Sequence, residues 1–253
     1  MDLNLRGKVA VVTGAARKRG NGRAIALTLA DEGADIACAD IDVENAKLVA
    51  EEIKAMGRRS IAMMVDQSDP EQVKQAVTLI TKELGPIDIL VNNAAVGSVG
   101  LITKEQLPPW ETVINIDLSG PYYWIREVFD SMAERKWGRI INISSLAGEL
   151  GGFGQCSYSA SKGGIISLAK TVALEGCKFG VTANAVTLGT IATDLFDAIR
   201  PDMQKRLVHR VPSHRIGEPQ DVANIIAFLA SDRASYITGA NIIVDGGFSL
   251  FVF

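Results

Sequence analysis

The sequence predicts an α/β domain built on a parallel, doubly wound sheet with helices on both faces. Short apolar runs recur along the chain, and several are apolar at consecutive positions, as in strands that are covered above and below. Segments with the helical spacing of apolar residues lie between these runs. Strands that alternate with helices are typical of parallel sheets, so the order of the elements predicts the fold class.

Seven apolar runs are the candidate strands of this sheet. In chain order they are 8–13, 35–40, 60–66, 87–93, 139–144, 181–186 and 241–245. The segment after the first strand repeats apolar residues at intervals of three and four and ends at Gly33, a residue suited to a helix C-cap. The next helical segment ends in the same way at Gly57, and a third opens with Asp69 as N-cap and Pro70 in its first position.

Composition places these elements in one domain, residues 1–253. The chain has 253 residues, of which 47% are hydrophobic and 22% charged, and no linker rich in Pro, Ser or Gly divides it. A net charge of −3 gives no support to nucleic-acid binding. We find no signal peptide, no apolar run of membrane-spanning length, and no pairing or metal-ligand pattern among the three cysteines. We therefore expect a cytoplasmic protein with reduced thiols, no resident metal and no membrane partner.

The first predicted strand runs into a glycine-rich turn, VVTGAARKRGNGRAIA at 11–26, and a helix follows it. Gly14 permits a tight turn, and Gly20 and Gly22 would let the backbone approach a pyrophosphate. An ordinary strand-to-helix turn is the alternative interpretation. A basic triplet at 17–19 lies inside the turn, which makes its positive charges candidates for phosphate contacts.

A carboxylate at the end of the second strand supports the nucleotide interpretation. Asp40 stands 26 residues after Gly14, where it can accept hydrogen bonds from the hydroxyls of an adenosine ribose. Capping of the next helix is the structural alternative, and Asp42 fits that role better than Asp40 does. Together these features favour a dinucleotide, although S-adenosylmethionine stays open at this point.

The segment SSLAGELGGFGQCSYSASKGGI at 144–165 carries the candidate chemistry. Tyr158 and Lys162 are four residues apart, so on a helix they share one face. A free tyrosine, with a pKa of about 10, is a poor base at neutral pH, and a nearby ammonium group lowers that pKa. Such a tyrosine can take a proton from an alcohol or give one to a carbonyl. Ser145 can supply a second hydrogen bond to the reacting oxygen.

Seven motifs occur in a characteristic order along the chain. They are TGAARKRGNG at 13–22, NNAA at 92–95, SS at 144–145, YSASK at 158–162, NAVTLGTIAT at 184–193, RIGEPQDVA at 215–223 and FLASDRASYITGANIIVDGG at 228–247. With these motifs, the chain resembles the short-chain dehydrogenase/reductase family over essentially its full length. The resemblance implies a Rossmann-type seven-stranded sheet, a nicotinamide cofactor, hydride transfer with a small secondary alcohol or ketone, and a homotetramer.

The resemblance also implies a role for each matching residue. Tyr158 would be the acid or base, Lys162 would lower its pKa and bind the nicotinamide ribose, and Ser145 would orient the substrate oxygen. Asp66 would lie beside the adenine, and Thr193 would hold the nicotinamide carboxamide. The cofactor-binding set is Gly14, Arg17, Gly20, Asn21, Gly22, Asp40, Ile41, Asp66, Gln67, Asn93, Ala94, Ala95, Tyr158, Lys162, Gly189, Ile191 and Thr193.

The chain departs from the family pattern at four places. The phosphate loop has five residues between its first two glycines where the family has three, and Ala95 and Leu188 replace a glycine and a proline. The fourth catalytic member of the family, an asparagine, corresponds here to Asp117, because Asn115 would point to the opposite side of the helix. A carboxylate there would offset Lys162 and make Tyr158 a weaker acid.

The same residues lead to a prediction of cofactor and direction. Asp40 would bond the ribose hydroxyls of NAD and repel the 2′-phosphate of NADP, whereas the cations at 17–19 favour NADP. We expect the fixed carboxylate to outweigh mobile cations, which predicts NAD over NADP and oxidation of a secondary alcohol. The alternatives are an NADP-dependent ketone reductase of the 3-oxoacyl type and a non-catalytic cofactor-binding subunit.

Two segments bear on substrate and assembly. We expect a substrate lid at about 190–215, whose many cations either receive an anionic group or face solvent on an amphipathic helix. The apolar ending GGFSLFVF at 246–253 is expected to pack against another subunit of a homo-oligomer.

Overall fold

The computed structural model describes residues 3–104, 107–197 and 199–250. Within these ranges the chain forms one seven-stranded parallel sheet. The strands are β1 (Val9–Thr13), β2 (Asp35–Asp40), β3 (Ser60–Met64), β4 (Ile89–Asn92), β5 (Gly138–Ser145), β6 (Val181–Leu188) and β7 (Asn241–Val244), in the spatial order β3-β2-β1-β4-β5-β6-β7. The predicted fold class, a doubly wound parallel sheet, is confirmed.

Helices connect the strands and cover both faces of the sheet. They are α1 (Asn21–Asp31), α2 (Val43–Ala55), α3 (Pro70–Glu83), α4 (Trp110–Ile114), α5 (Gly120–Glu134), α6 (Leu146–Leu150), α7 (Cys156–Gly176), α8 (Asp194–Asp197), α9 (Pro201–Arg210) and α10 (Pro219–Ala230). A π-turn, Asn115–Ser119, joins α4 to α5. Across the described ranges, no helix combines the length and apolarity that a membrane crossing requires.

Helix boundaries follow the local signals in the sequence. Asp42 caps α2, where its carboxylate accepts a hydrogen bond from the backbone N–H of Asn45 at 3.2 Å. Asp69 caps α3 in the same way through the N–H of Glu71 at 2.9 Å. Gly33 follows the end of α1 with a φ of +105°, a conformation that favours glycine.

The core is divided into two layers by the sheet. In β1, Val9 and Val11 belong to the layer formed with α3, α5 and α7, while Ala10 and Val12 belong to the layer formed with α1, α2 and α10. Because both faces of the sheet are covered, the side chains on both sides of a strand are apolar. This explains why the candidate strands read as continuous apolar runs.

The strand order places a crevice at the carboxyl ends of β1 and β4. From β1 the chain proceeds to one side of the sheet through β2, and from β4 it proceeds to the other side through β5. Loops that leave neighbouring strands in opposite directions open a crevice, and ligands of such sheets bind there. Gly14 and Asn93 follow these two strands directly.

Candidate active site

A cavity of about 830 Å³ opens at the carboxyl ends of the central strands. Its wall includes every residue of the predicted cofactor-binding set, together with Ser145. Asp117 is the exception among the predicted site residues, since it lies behind the wall and is fully buried. The topology therefore brings the predicted residues together although they span more than half of the chain.

The glycines of the first turn form a cradle that fits a pyrophosphate. Gly14 has a φ of +69°. A Cβ atom at Gly22 would lie 2.1 Å from the carbonyl oxygen of Gly14, so any larger residue would break the turn. Gly20 is the N-cap of α1 and offers no side-chain cap, which leaves the first N–H groups of the helix to a ligand. The residues present fit a dinucleotide.

Thr13 and Asn93 hold this turn against the end of β4. The hydroxyl of Thr13 accepts hydrogen bonds from the backbone N–H groups of Asn93 and Ala94, each at 3.0 Å. The side-chain amide of Asn93 donates to the carbonyls of Thr13 and Gly14 at 2.8 and 3.1 Å. The side chain of Asn93 thus supports the phosphate turn from below.

Members of the basic triplet have different surroundings. Arg17 and Lys18 are exposed and line the cavity, and neither forms an ion pair with any described residue. Arg19 instead pairs with Asp197 of α8 at 2.9 Å and with Glu218 at 3.5 Å. Two positive charges therefore remain for a ligand, and the third joins the phosphate loop to the segment predicted as a lid.

The carboxylate of Asp40 is occupied by backbone donors. One oxygen accepts from the N–H of Ala16 at 2.9 Å, and the other accepts from the N–H of Asp42 at 3.0 Å. Asp40 thereby ties the phosphate loop to the start of α2. Each carboxylate oxygen thus has one backbone donor that the sequence did not indicate.

Asp66 and Gln67 follow β3 and close the far side of the cavity. One carboxylate oxygen of Asp66 accepts from the backbone N–H and the hydroxyl of Ser68, at 2.9 and 2.7 Å. The other carboxylate oxygen has no hydrogen-bond donor among the described residues. Gln67 is buried and makes its side-chain contacts towards the interior.

Tyr158, Lys162 and Ser145 converge on the wall of this cavity beside the end of β5. The ammonium of Lys162 lies 5.7 Å from the ring centroid of Tyr158 and donates to the carbonyl of Ile143 at 3.0 Å. The hydroxyl of Ser144 donates to the carbonyl of Lys162 at 2.8 Å, which fixes α7 against the end of β5. These contacts hold Tyr158 and Lys162, which are four residues apart, on the face of α7 that lines the cavity.

The pKa of Tyr158 is raised, in the direction expected from Asp117, but burial is the main cause. Burial of its hydroxyl raises the pKa to about 12, the hydrogen bond with Ser145 lowers it, and the carboxylate of Asp117 raises it again. Burial also lowers the pKa of Lys162, and Asp117 partly offsets that effect. Desolvation therefore outweighs the hydrogen bond with Ser145, and Tyr158 holds its proton at neutral pH.

Asp117, and not Asn115, lies beside Lys162. One carboxylate oxygen of Asp117 accepts from the N–H of Val96 at 2.8 Å, and the other lies 4.0 Å from the ammonium of Lys162. Asn115 is exposed. Burial raises the pKa of Asp117 to about 6, although Lys162 and the Val96 N–H act in the opposite direction. A buried carboxyl that titrates near neutrality thus stands behind the tyrosine.

The remaining departures from the family pattern fit the fold without strain. Ala95 is absent from the described residues with positive φ, so its backbone takes a conformation that alanine adopts readily. Leu188 ends β6 and is buried, and a Cβ at Gly189 would lie 2.7 Å from the Cβ of Asp245. Glycine is required next to Leu188 because another chain segment approaches closely.

The segment predicted as a lid contains α8 and α9. Its cations are largely exposed, and some have partners within the chain: Arg200 pairs with Asp202, and Arg215 pairs with Asp221. Arg210 lies 4.9 Å from the ring centroid of Phe248 in the apolar ending. The last three residues of that ending, 251–253, and residue 198 of the lid lie outside the described residues. The described ranges hold no cluster of three or more metal-ligating side chains.

The sequence analysis missed several residues of the wall. Lys18, Asn45, Ile116, Trp124 and Asp194 all line the cavity. Lys18, Ile116 and Asp194 adjoin predicted residues, and Lys18 was named within the basic triplet although it was left out of the cofactor-binding set. Nothing local marks Asn45 or Trp124, which reach the cavity only through packing.

The chain is similar to known reductases and dehydrogenases over nearly its whole length. A family model described as enoyl-(acyl carrier protein) reductase matches residues 14–249. A 3-oxoacyl-(acyl-carrier-protein) reductase of Staphylococcus epidermidis is 40% identical over 241 residues, which cover 95% of this chain and 98% of the relative. The enzyme of the same name from Escherichia coli K12 is 38% identical over 245 residues, covering 97% and 98%. A crystal structure from Agrobacterium tumefaciens, provisionally named gluconate dehydrogenase, superposes with a TM-score of 0.94 and 31% identity over the full length of both chains.

These relatives correct the cofactor prediction. The curated relatives are 3-oxoacyl reductases, the alternative that the sequence analysis linked to NADP, so the prediction of NAD as the main cofactor is wrong. The error lies in the balance between the charge of Asp40 and the charges of the basic triplet, and it has a physical reason. Both oxygens of Asp40 are held by backbone N–H groups, while Arg17 and Lys18 remain available in the cavity wall. Ketone reduction likewise agrees with the relatives better than the predicted alcohol oxidation does.

Proposed function

The chain belongs to the short-chain dehydrogenase/reductase family and is an NAD(P)-dependent oxidoreductase, and from this premise we propose that it reduces the ketone of a 3-oxoacyl thioester with NADPH. The names of the curated relatives support the substrate class. The observation that carries the cofactor choice is the pair of exposed cations, Arg17 and Lys18, in the cavity wall. Tyr158, whose pKa burial raises to about 12, holds at neutral pH the proton that ketone reduction consumes.

The chain's own residues supply the acid chemistry of this reduction. NADPH, when bound, supplies the hydride that the ketone carbon accepts. The Tyr158 hydroxyl donates its proton to the ketone oxygen as negative charge develops there, and the Ser145 hydroxyl orients that oxygen. Lys162 holds a positive charge near the phenolate that forms. The carboxylate of Asp117, 4.0 Å from that ammonium, stabilises the charge of Lys162.

The cations of the cavity wall favour NADPH over NADH as the cofactor. A 2′-phosphate at the adenosine ribose carries negative charge, and Arg17 and Lys18 stand exposed on the wall at that end, next to Asp40. Charge-assisted hydrogen bonds from such cations are about twice as strong as neutral ones. Since Asp40 is engaged by Ala16 and Asp42, its charge is partly offset by backbone dipoles.

The substrate class is tested with purified protein by NADPH consumption. A 3-oxoacyl thioester of N-acetylcysteamine should be reduced, and Tyr158→Phe should lower kcat by about 100-fold or more, because only the proton donor is lost. NADPH affinity should stay within about threefold of the parent. Tyr236→Phe is the matched control, since Tyr236 is fully exposed and remote from the cavity wall. Faster oxidation of gluconate than reduction of the thioester would contradict the proposal.

A cytoplasmic homotetramer completes the proposal, on the basis of the family resemblance. Large apolar side chains that are exposed in the single chain, such as Leu174 of α7 and Trp110 of α4, offer surface for such an assembly. Light scattering should then give four times the chain mass of 27.0 kDa. A mass near that of one chain at micromolar concentration would contradict it.

A further inference from the structure

The π-turn that carries Asp117 leaves one of its carbonyls without a partner in its own helix. The N–H of Gly120 bonds to the carbonyl of Asn115, five residues back, and so does not reach Ile116 four residues back. The residue five positions after Ile116 is Pro121, which has no N–H to donate. Helix geometry and sequence together deprive the carbonyl of Ile116 of both possible donors.

Gln67 supplies the missing donor from another part of the chain. Its side-chain amide nitrogen donates to the carbonyl of Ile116 at 2.7 Å and to the carbonyl of Ala94 at 3.1 Å. Gln67 is 5% exposed, and a Cβ at Gly120 would lie 2.7 Å from its Cγ, so the glycine makes room for it. Both amide hydrogens have acceptors, which fixes the orientation of the amide.

The two carbonyls that Gln67 joins belong to the two sides of the site. Ala94 lies in the wall of the cofactor cavity, and two residues later the N–H of Val96 donates to Asp117 at 2.8 Å. Ile116 precedes Asp117 in the π-turn, and the other oxygen of Asp117 lies 4.0 Å from the ammonium of Lys162. A single buried side chain thus connects the cofactor wall to the turn that sets this distance.

We propose that Gln67 is a positioning residue, which holds the π-turn so that Asp117 stays beside Lys162 and couples that turn to the cofactor wall at Ala94. The inference rests on the proposed function through Asp117, whose charge acts on Lys162 and Tyr158. Lys162 and Tyr158, both on α7, are the titratable groups that act on Asp117. Without Gln67, two buried carbonyls lose their donor, and the turn gives up the arrangement that keeps Asp117 near a positive charge.

The test replaces the donors and keeps the volume. Gln67→Met has a side chain of similar length but offers no hydrogen to Ile116 or Ala94. We expect the pKa of the Asp117 carboxyl, followed by 13C NMR titration of the cofactor-free protein, to rise because the attraction of Lys162 weakens. The dissociation constant for NADPH should increase several-fold, and the pH profile of kcat should move in the same direction as the NMR titration.

Gln72→Met is the matched control. Gln72 is a part-buried glutamine on α3 that bonds to the N–H of Asp66 at 3.0 Å and does not contact the π-turn. It should leave the titration of Asp117 unchanged. If Gln67→Met does not fold, Gly120→Ala displaces the same amide by steric contact and should shift the titration in the same direction.

The outcomes separate this inference from the proposed function. An unchanged Asp117 titration in folded Gln67→Met overturns the positioning role, whatever substrate the enzyme takes. A shifted titration in a protein that fails to reduce 3-oxoacyl thioesters supports the positioning role and contradicts the proposed substrate alone. The NMR measurement needs neither substrate nor cofactor.

Discussion

At the scale of single residues, Asp117 changes the acidity of Tyr158. A carboxyl replaces the amide that the family pattern has at this position, and burial raises its pKa to about 6 against the attraction of Lys162. Burial raises the pKa of Tyr158 to about 12, and the negative charge of Asp117 adds to that effect. The substitution therefore makes the phenol a weaker acid and its phenolate a stronger base.

Asp117→Asn should move the reverse reaction to lower pH. Oxidation of the 3-hydroxyacyl product by NADP requires the phenolate of Tyr158, and removal of the negative charge lowers the pKa of that phenol. The rise of kcat for oxidation with increasing pH should occur at lower pH, while the rate of reduction near neutral pH is retained or raised. Asn115→Ala is the control, because Asn115 is exposed and should leave both profiles unchanged. A larger effect at Asn115 than at Asp117 would show that the relay position is misplaced.

Arg17 and Lys18 should determine selectivity between the two nicotinamide cofactors. Replacing both by alanine removes the cations that can contact a 2′-phosphate, so kcat/KM for NADPH should fall by about tenfold to 100-fold while kcat/KM for NADH changes little. Arg19→Ala serves as the control, since that side chain is directed at Asp197 and Glu218. Equal losses with both cofactors would argue against a phosphate contact.

At the scale of elements, the longer phosphate loop is joined to α8. The carbonyl of Arg19 accepts from the N–H of Asp194 at 3.0 Å, and the guanidinium of Arg19 pairs with Asp197 at 2.9 Å. Both residues of this helix follow Thr193, which lines the cofactor cavity. The extra length of the loop brings a cation to the lid that a shorter loop would not place there.

Arg19→Ala should loosen the lid while its backbone contact remains. Because the ion pairs are half-exposed, we expect only about a two- to fivefold faster cleavage by trypsin at the lid sites Lys205, Arg206 and Arg210 with NADPH bound. Arg23→Ala is a suitable control, since Arg23 pairs with Glu52 of α2 and not with the lid. Equal cleavage rates in the two variants would mean that the loop does not restrain the lid.

At the scale of the whole molecule, the buried carboxyl of Asp117 affects folding stability. Its folded-state pKa of about 6 exceeds the ordinary value of 3.8, so the folded chain binds the proton more tightly than the unfolded chain does. The stabilisation linked to this group is complete below about pH 4 and is lost as the pH rises through about 6.

Asp117→Asn should therefore raise the free energy of unfolding, relative to the parent, more at neutral pH than at acid pH. The rise from 3.8 to about 6 corresponds to about 3 kcal/mol, which is the expected pH-dependent part of the stability difference. Urea unfolding of both proteins between pH 4 and pH 8 measures it, and the gain should develop between these limits. A stability difference that is independent of pH would show that Asp117 keeps an ordinary pKa in the folded state.

Local features of the chain account for what the sequence determined by itself. Periodicity fixes the alternation of strands and helices, Asp42 and Asp69 cap the helices they precede, and the close spacing of Tyr158 and Lys162 puts them on one helical face. These features depend on neighbours within a few residues, so they can be read along the chain.

Tertiary structure decided whatever depends on long-range contact and on the exclusion of water. Arg19 meets Asp197 across 178 residues, Gln67 meets Ile116 across 49, and Asp40 is engaged by a loop 24 residues earlier. The balance between NAD and NADP was misjudged because the sequence shows a carboxylate without showing which donors already hold it. The sequence analysis expected Asp117 to make Tyr158 a weaker acid, but it could not show that burial is the larger cause. The cost of burying a charge follows from the packing around it, and no spacing along the chain records that packing.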